Sequence, residues 1–173
     1  MNITIHDAVV KTYQQLLPVV GNYLSKGRSH YESLGKDPNL AVDLKLTDDM
    51  LPLHFQVVSV VHHSAHALHS LETGKAGPPD FSLAFDLAGL QTHVQEAIEA
   101  VNAIDADAFN AKADVPVVFH LGKMEIPFKA SDFLLSFSLP NFYFHATTGY
   151  DLLRMDGVAL GKMDFLGAMR INA

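Results

Sequence analysis

The sequence predicts an all-α fold, a four-helix bundle with a small β-hairpin ahead of its fourth helix. Three observations carry this. Four long stretches repeat apolar residues at helical spacing, and one short stretch alternates about a tight turn. The 173 residues are 49% hydrophobic with no cysteine, enough to bury one core without disulfides. No apolar run reaches the roughly 18 residues that span a bilayer. No linker or repeat divides the chain, so residues 1–173 read as a single domain.

The first helix follows from Val9, Tyr13, Leu16, Val20 and Tyr23, spaced alternately by four and three. Pro18 lies inside it and should bend it. Gly27, Gly35 and Pro38 mark its frayed end and a loop, with a short turn expected near Leu40–Leu44. The second helix should begin at Asp48-Asp49-Met50-Leu51-Pro52, where an acidic cap meets a first-turn proline. It should end near Glu72, before Thr73-Gly74. Leu51, Phe55, Val58, His62, Ala65 and His69 line one face, while Leu53, Val57, Val60, Leu68 and Leu71 line the other. A helix apolar on both sides is buried.

Ser82 is placed to cap the third helix, in which Leu83, Leu87, Leu90, Val94, Ala97, Val101 and Ile104 keep a seven-residue repeat. Val115, Val117, Phe119 and Leu121 then alternate up to Gly122-Lys123, and Ile126 and Phe128 resume the alternation, which makes a hairpin. The fourth helix should run from Ala130 to Met155. Pro140 leaves the Ser136 carbonyl without its usual donor and predicts a kink. Phe133, Phe137, Phe142, Tyr143 and Phe144 surround most of this helix, an excess that points to a second surface and a homodimer.

Charge and composition narrow the function. Lys and Arg number 12 against 19 Asp and Glu, a formal charge of −7, which repels phosphate backbones and argues against nucleic acid. The opening Met1–Asp7 lacks a basic flank and an apolar stretch, so a cytoplasmic chain is expected, with no membrane partner. The ten histidines are unusual, since imidazole suits both transition metals and proton transfer near neutral pH.

On the second helix His62, His66 and His69 share one arc. On the fourth, Ser138, Asn141, His145 and Thr148 form a polar stripe. A pair at i, i+4 plus one nitrogen from a facing helix can hold a metal and leave a position open. The candidate ligands are therefore His62, His66 and His145, supported by Gln56 and Asn141 as outer donors, with Tyr150 in the same pocket. The metal would be a single divalent transition ion: nickel, zinc, iron or manganese. The alternative is that these imidazoles are satisfied by neighbouring hydroxyls and carbonyls. By helical angle His63 points a quarter-turn away, and His6, His30, His93 and His120 read as surface residues.

Other patterns fail on chemistry. Gly157-Val158-Ala159-Leu160-Gly161-Lys162 has its glycines one residue too close for a phosphate loop, and no hydroxyl follows the lysine. Ser64 and Ser70 lie mid-helix without an oxyanion loop. No carboxylate pair has the apolar flanks of an acid/base dyad.

Asp49-Met50-Leu51-Pro52-Leu53 with Gln56 and Val57 resembles the start of the second helix in an uncharacterised bacterial family of the DinB/YfiT-like superfamily. Leu139–Tyr150 is similar to its fourth helix, and Leu153-Arg154, Gly157-Val158, Leu160–Lys162 and Asp164–Gly167 to its closing segment. The resemblance implies a bundle with a long crossover, commonly dimeric. It further implies a metal-dependent enzyme, as in transferases and isomerases that use low-molecular-weight thiols, whose divalent ion is held by one histidine of the second helix and two, four apart, on the fourth. A metal here would serve transfer or hydrolysis. His145 matches the first of that pair, but Gly149 stands at the second, and His62 stands where relatives often carry an acid. The rival expectation is a non-catalytic, dimeric ligand-binding or interaction bundle without the metal. Arg154 or Lys162 could bind an anionic group; the structural alternative is an Arg154–Asp164 pair that pins the tail.

Overall fold

The computed structural model describes residues 3–171. Helix α1 opens with a π-helical turn, His6–Val10, and continues as Lys11–Ser33. It runs through Gly27 without ending there, because that glycine lets Leu153 approach: a Cβ would lie 3.2 Å from the Leu153 side chain. Pro38–Asp43 forms a 3₁₀ turn capped by Asp37. Helix α2 comprises Leu53–Val61, a π-turn His62–His66, and Ala67–Thr73. Its cap is Pro52, not Asp49; the Asp49 carboxylate instead accepts from the Thr47 hydroxyl. Gly74 closes the helix at φ 70°, a conformation open to glycine.

Helix α3 spans Leu87–Asn102. Its cap is Asp86, which accepts from the Gly89 N–H at 2.7 Å, and Ser82 donates to Asp80 instead. A short helix α4, Ala106–Asn110, precedes the hairpin β2 (Pro116–Leu121) and β3 (Met124–Lys129). A strand not read from the sequence, β1 (Lys75–Ala76), pairs parallel to β2 with Lys75 opposite Val118. Two residues are too few to show an alternation.

Helix α5 runs as Ala130–Asp132, a π-turn Phe133–Ser138, and Leu139–Met155. The π-turn ends just before Pro140, so the missing N–H falls where the hydrogen-bond pairing has already changed step. Helix α6, Lys162–Leu166, folds back on α1. Gln15 donates to the Leu166 carbonyl at 2.8 Å, and Lys26 pairs with Asp164 at 2.6 Å. Asp164 is thus held by α1 and not by the expected Arg154, and its carboxyl lies below the usual range because Lys26 donates to it.

Helix α1 packs against α3 and α5, and α2 packs against the same two. The connections 34–52 and 103–129 therefore join helices at opposite corners, the crossover expected of this bundle. Tyr13, Leu17, Leu24, Leu53, Leu87, Leu90, Leu134, Phe142 and Leu153 are fully buried at the centre. Each contributes roughly 1.5–3 kcal/mol relative to an exposed side chain.

Candidate functional site: a row of neutral imidazoles

Helix α2 changes pitch at its histidines. A π-turn takes more residues per turn than an α-helix, so side chains within it leave the angular positions that regular spacing assigns. His63 nonetheless continues the inner face marked by Gln56, Ser59 and Val60 in the preceding turns and is only 5% exposed. Its ring lies parallel to that of His145 on α5, centroids 5.9 Å apart at 4°. Edge-to-face steps follow to His62 (4.9 Å from His63), His66 (5.8 Å further) and His93 of α3 (6.3 Å further). Phe85 stacks on His93 at 4.9 Å and on His54 at 6.1 Å, so the row crosses from α5 through α2 to the approach of α3.

Three of these rings have their tautomers set by their partners. The Gln56 amide donates to the Leu51 carbonyl at 2.8 Å, which turns its oxygen toward His145. His145 must then donate from Nδ1, over 2.8 Å, and its Nε2 keeps a lone pair. His62 Nε2 donates to the Gly77 carbonyl at 2.9 Å, leaving the lone pair on Nδ1. His54 Nε2 accepts from the Phe85 N–H at 2.9 Å.

Burial pushes His54, His62, His63, His66, His93 and His145 below the ordinary imidazole value. For His63 the value falls to about 3, through burial and then its neighbours His62 and His145. For His145 it falls to about 4, through burial and then His62. The row is therefore uncharged at neutral pH. His62, His66 and His93, with Val58, Pro78, Asp80 and Leu83, wall a cavity of ≈ 220 Å³. The Asp80 carboxyl is held below its usual range by hydrogen bonds from Ser82, so the wall offers one negative charge beside imidazoles that each carry one N–H and one lone pair.

The residues expected from the sequence are partly brought together. His62 and His66 share the cavity, while His145 joins the row through His63. Gln56 does hold His145, as the acceptor in that bond and not as a donor. Asn141 donates to the Phe137 carbonyl of its own helix at 2.7 Å. Tyr150 packs on Phe165 of the closing segment at 5.6 Å. His63 and His93, set aside in the sequence, are central. His63 follows the buried Val60 by three residues and Gln56 by seven, a helical spacing that already marks the inner face, whereas His93 sits one residue before the core position Val94.

Gln56 is 2% exposed and keyed to two partners. Replacing Gln56→Leu strands the Leu51 carbonyl and the His145 N–H, and stability should fall by about 2–3 kcal/mol. Nitrogen-15 spectra of the His145 ring should show its tautomers mixing; a single unchanged tautomer would refute the assignment.

The expected metal centre does not fit these side chains as arranged. Among the described residues, no group of three His, Asp or Glu side chains is placed to hold a metal ion. At Gly149, where the resemblance places a ligand, a Cβ would lie 2.6 Å from the Tyr23 hydroxyl, so that volume is filled from α1. Among the described residues no helix is long and apolar enough to cross a membrane.

This fold is that of the DinB-like helical bundles, and the comparisons agree. The model of the domain of unknown function DUF1993 matches residues 5–166, and the chain belongs to that family. Among solved structures it is similar to a DinB family member protein from Shewanella denitrificans, at 25% identity and a TM-score of 0.80, covering 97% of this chain and 94% of that one. No curated protein matches the chain.

Proposed function

We propose that this DinB-like bundle binds a small polar molecule in its imidazole-walled cavity, and that this pocket, not a three-histidine metal centre, is its working site. One observation carries the reading: three neutral imidazoles and an ionised carboxylate converge on one cavity of ≈ 220 Å³ with apolar walls at Val58, Pro78 and Leu83. The His62 Nδ1 lone pair and the Asp80 carboxylate accept hydrogen bonds, while His66 and His93 each carry one N–H and one lone pair, so the fitting ligand is a neutral or cationic molecule with N–H or O–H donors.

The test is a titration of tag-free protein with a panel of small amines and amides, read from the histidine side-chain resonances. Shifts confined to His62, His66 and His93, and abolished in His93→Ala, are expected. No shift with any member of the panel would overturn the pocket. In a parallel arm with nickel, zinc or manganese, stoichiometric uptake lost in His145→Ala would instead restore the metalloenzyme. The homodimer belongs to the same proposal, resting on Tyr143 and Phe144, 40% and 55% exposed. Sedimentation of wild type against Phe144→Ser tests it, and a monomer in both would refute it.

A further inference from the structure

A second cleft, of ≈ 450 Å³, lies away from the histidine row, between α1 and the segment that follows α5. Ser25, Lys26, Ser29 and His30 line it from α1, and Val158 and Ala159 from the other side. The sequence dictates this meeting. Gly157 turns at φ 96°, reversing the chain at the end of α5. Val158 and Leu160 then bury themselves, at 1% and 4% exposure. Leu160 donates to the Val158 carbonyl at 2.8 Å, a tight turn centred on Ala159. The turn leaves Ala159 exposed at its tip.

Among the described residues the Ala159 N–H, the Ser29 hydroxyl and the His30 ring make no hydrogen bond within the protein, and Ser29 and Ala159 are exposed, so these donors are open to a ligand. Lys26 supplies the positive charge, bonded on one side to Asp164 at 2.6 Å. A backbone N–H, a hydroxyl, an imidazole and an ammonium form a donor set suited to an oxyanion with several acceptor oxygens. From this geometry we infer that the cleft is a binding site for a phosphate-type oxyanion, the head of a small phosphorylated molecule, with Asp164 acting as an internal competitor that occupies Lys26 in its absence.

Asp164 makes the proposal testable in two directions. Inorganic phosphate is titrated into the full chain at pH 7.5 and constant ionic strength, with chloride as the control, and the Ala159 amide and His30 ring resonances are followed. Saturable shifts at both are expected with phosphate and not with chloride. Lys26→Met should weaken binding by about tenfold, the worth of one charge-assisted hydrogen bond. Asp164→Asn should tighten it several-fold, because it frees the lysine. If Lys26 and Asp164 only pin the tail, both variants would loosen the closing segment and neither would tighten binding. That outcome overturns the proposal, as do shifts that never saturate or that chloride reproduces.

Discussion

Lowering the pH from 7 to 4.5 should cost the fold about 3–5 kcal/mol, with the loss concentrated below pH 6.5. The buried histidines have native values below the unfolded one, so the unfolded chain binds protons first. Their contribution is complete above about pH 6.5 and disappears as the pH falls toward the native values. His63, at about 3 and nearly inaccessible, loses roughly 1.4 kcal/mol per pH unit across this window. His145, at about 4, adds less because it is partly open to solvent, and His62, His66, His93 and His54 add smaller amounts in the same direction. Asp7, Asp49, Asp80 and Asp164 have lowered values too. Their contribution is lost below about pH 4, outside this window. Urea unfolding at half-unit pH intervals measures the slope. His63→Phe keeps a ring against His145 and Phe137 but cannot take a proton, so it should flatten the curve and raise stability at pH 4.5 relative to wild type. A variant curve parallel to wild type would refute the role of His63.

The second large effect lies at Gly149. Alanine is normally the better helix former by about 1 kcal/mol, yet Gly149→Ala should destabilise by a net of about 2 kcal/mol. Its Cβ would sit 2.6 Å from the Tyr23 hydroxyl and 3.3 Å from the ring carbon that bears it. The Tyr23 ring is wholly buried and cannot swing aside, so the core is overpacked. That hydroxyl has no hydrogen-bond partner among the described residues, and burial drives its pKa up. Tyr23→Phe should therefore be neutral or stabilising. The two changes together should recover most of the loss, because removing the oxygen leaves space for the methyl group. A double-mutant cycle reads this coupling. If Gly149→Ala is as damaging with phenylalanine at 23 as with tyrosine, the clash does not exist.

The fold was legible to the extent that its pattern was local. Helix α5 runs from Ala130 to Met155 as its aromatic spacing indicates, and the hairpin turns at Gly122-Lys123. Caps were less legible. Ser82 and Asp86 are both good cap residues near the start of α3, and the backbone geometry that selects Asp86 is set by tertiary packing. The candidate site was legible only as a group of histidines on facing helices. Spacing singles out His62, His66, His145 and Gln56 as candidates, and the seven-residue step from the buried Gln56 also places His63 on the inner face, whereas His93 depends on which face of α3 meets α2. The closing segment was read as pinned by Arg154, but the fold-back brings Asp164 to Lys26 on a helix more than a hundred residues earlier.

The two-residue strand β1 gives the molecule a mechanical linkage. Lys75 and Ala76 are stitched to Val118 and Phe119 in the hairpin, and the next residue, Gly77, holds the ring of His62 through its carbonyl. Hairpin and cavity wall thus meet on one continuous stretch of backbone beginning at Gly74. Three consecutive residues join the hairpin to His62, whose ring lines the cavity. The hairpin is in this way tied by backbone to the wall of the imidazole cavity.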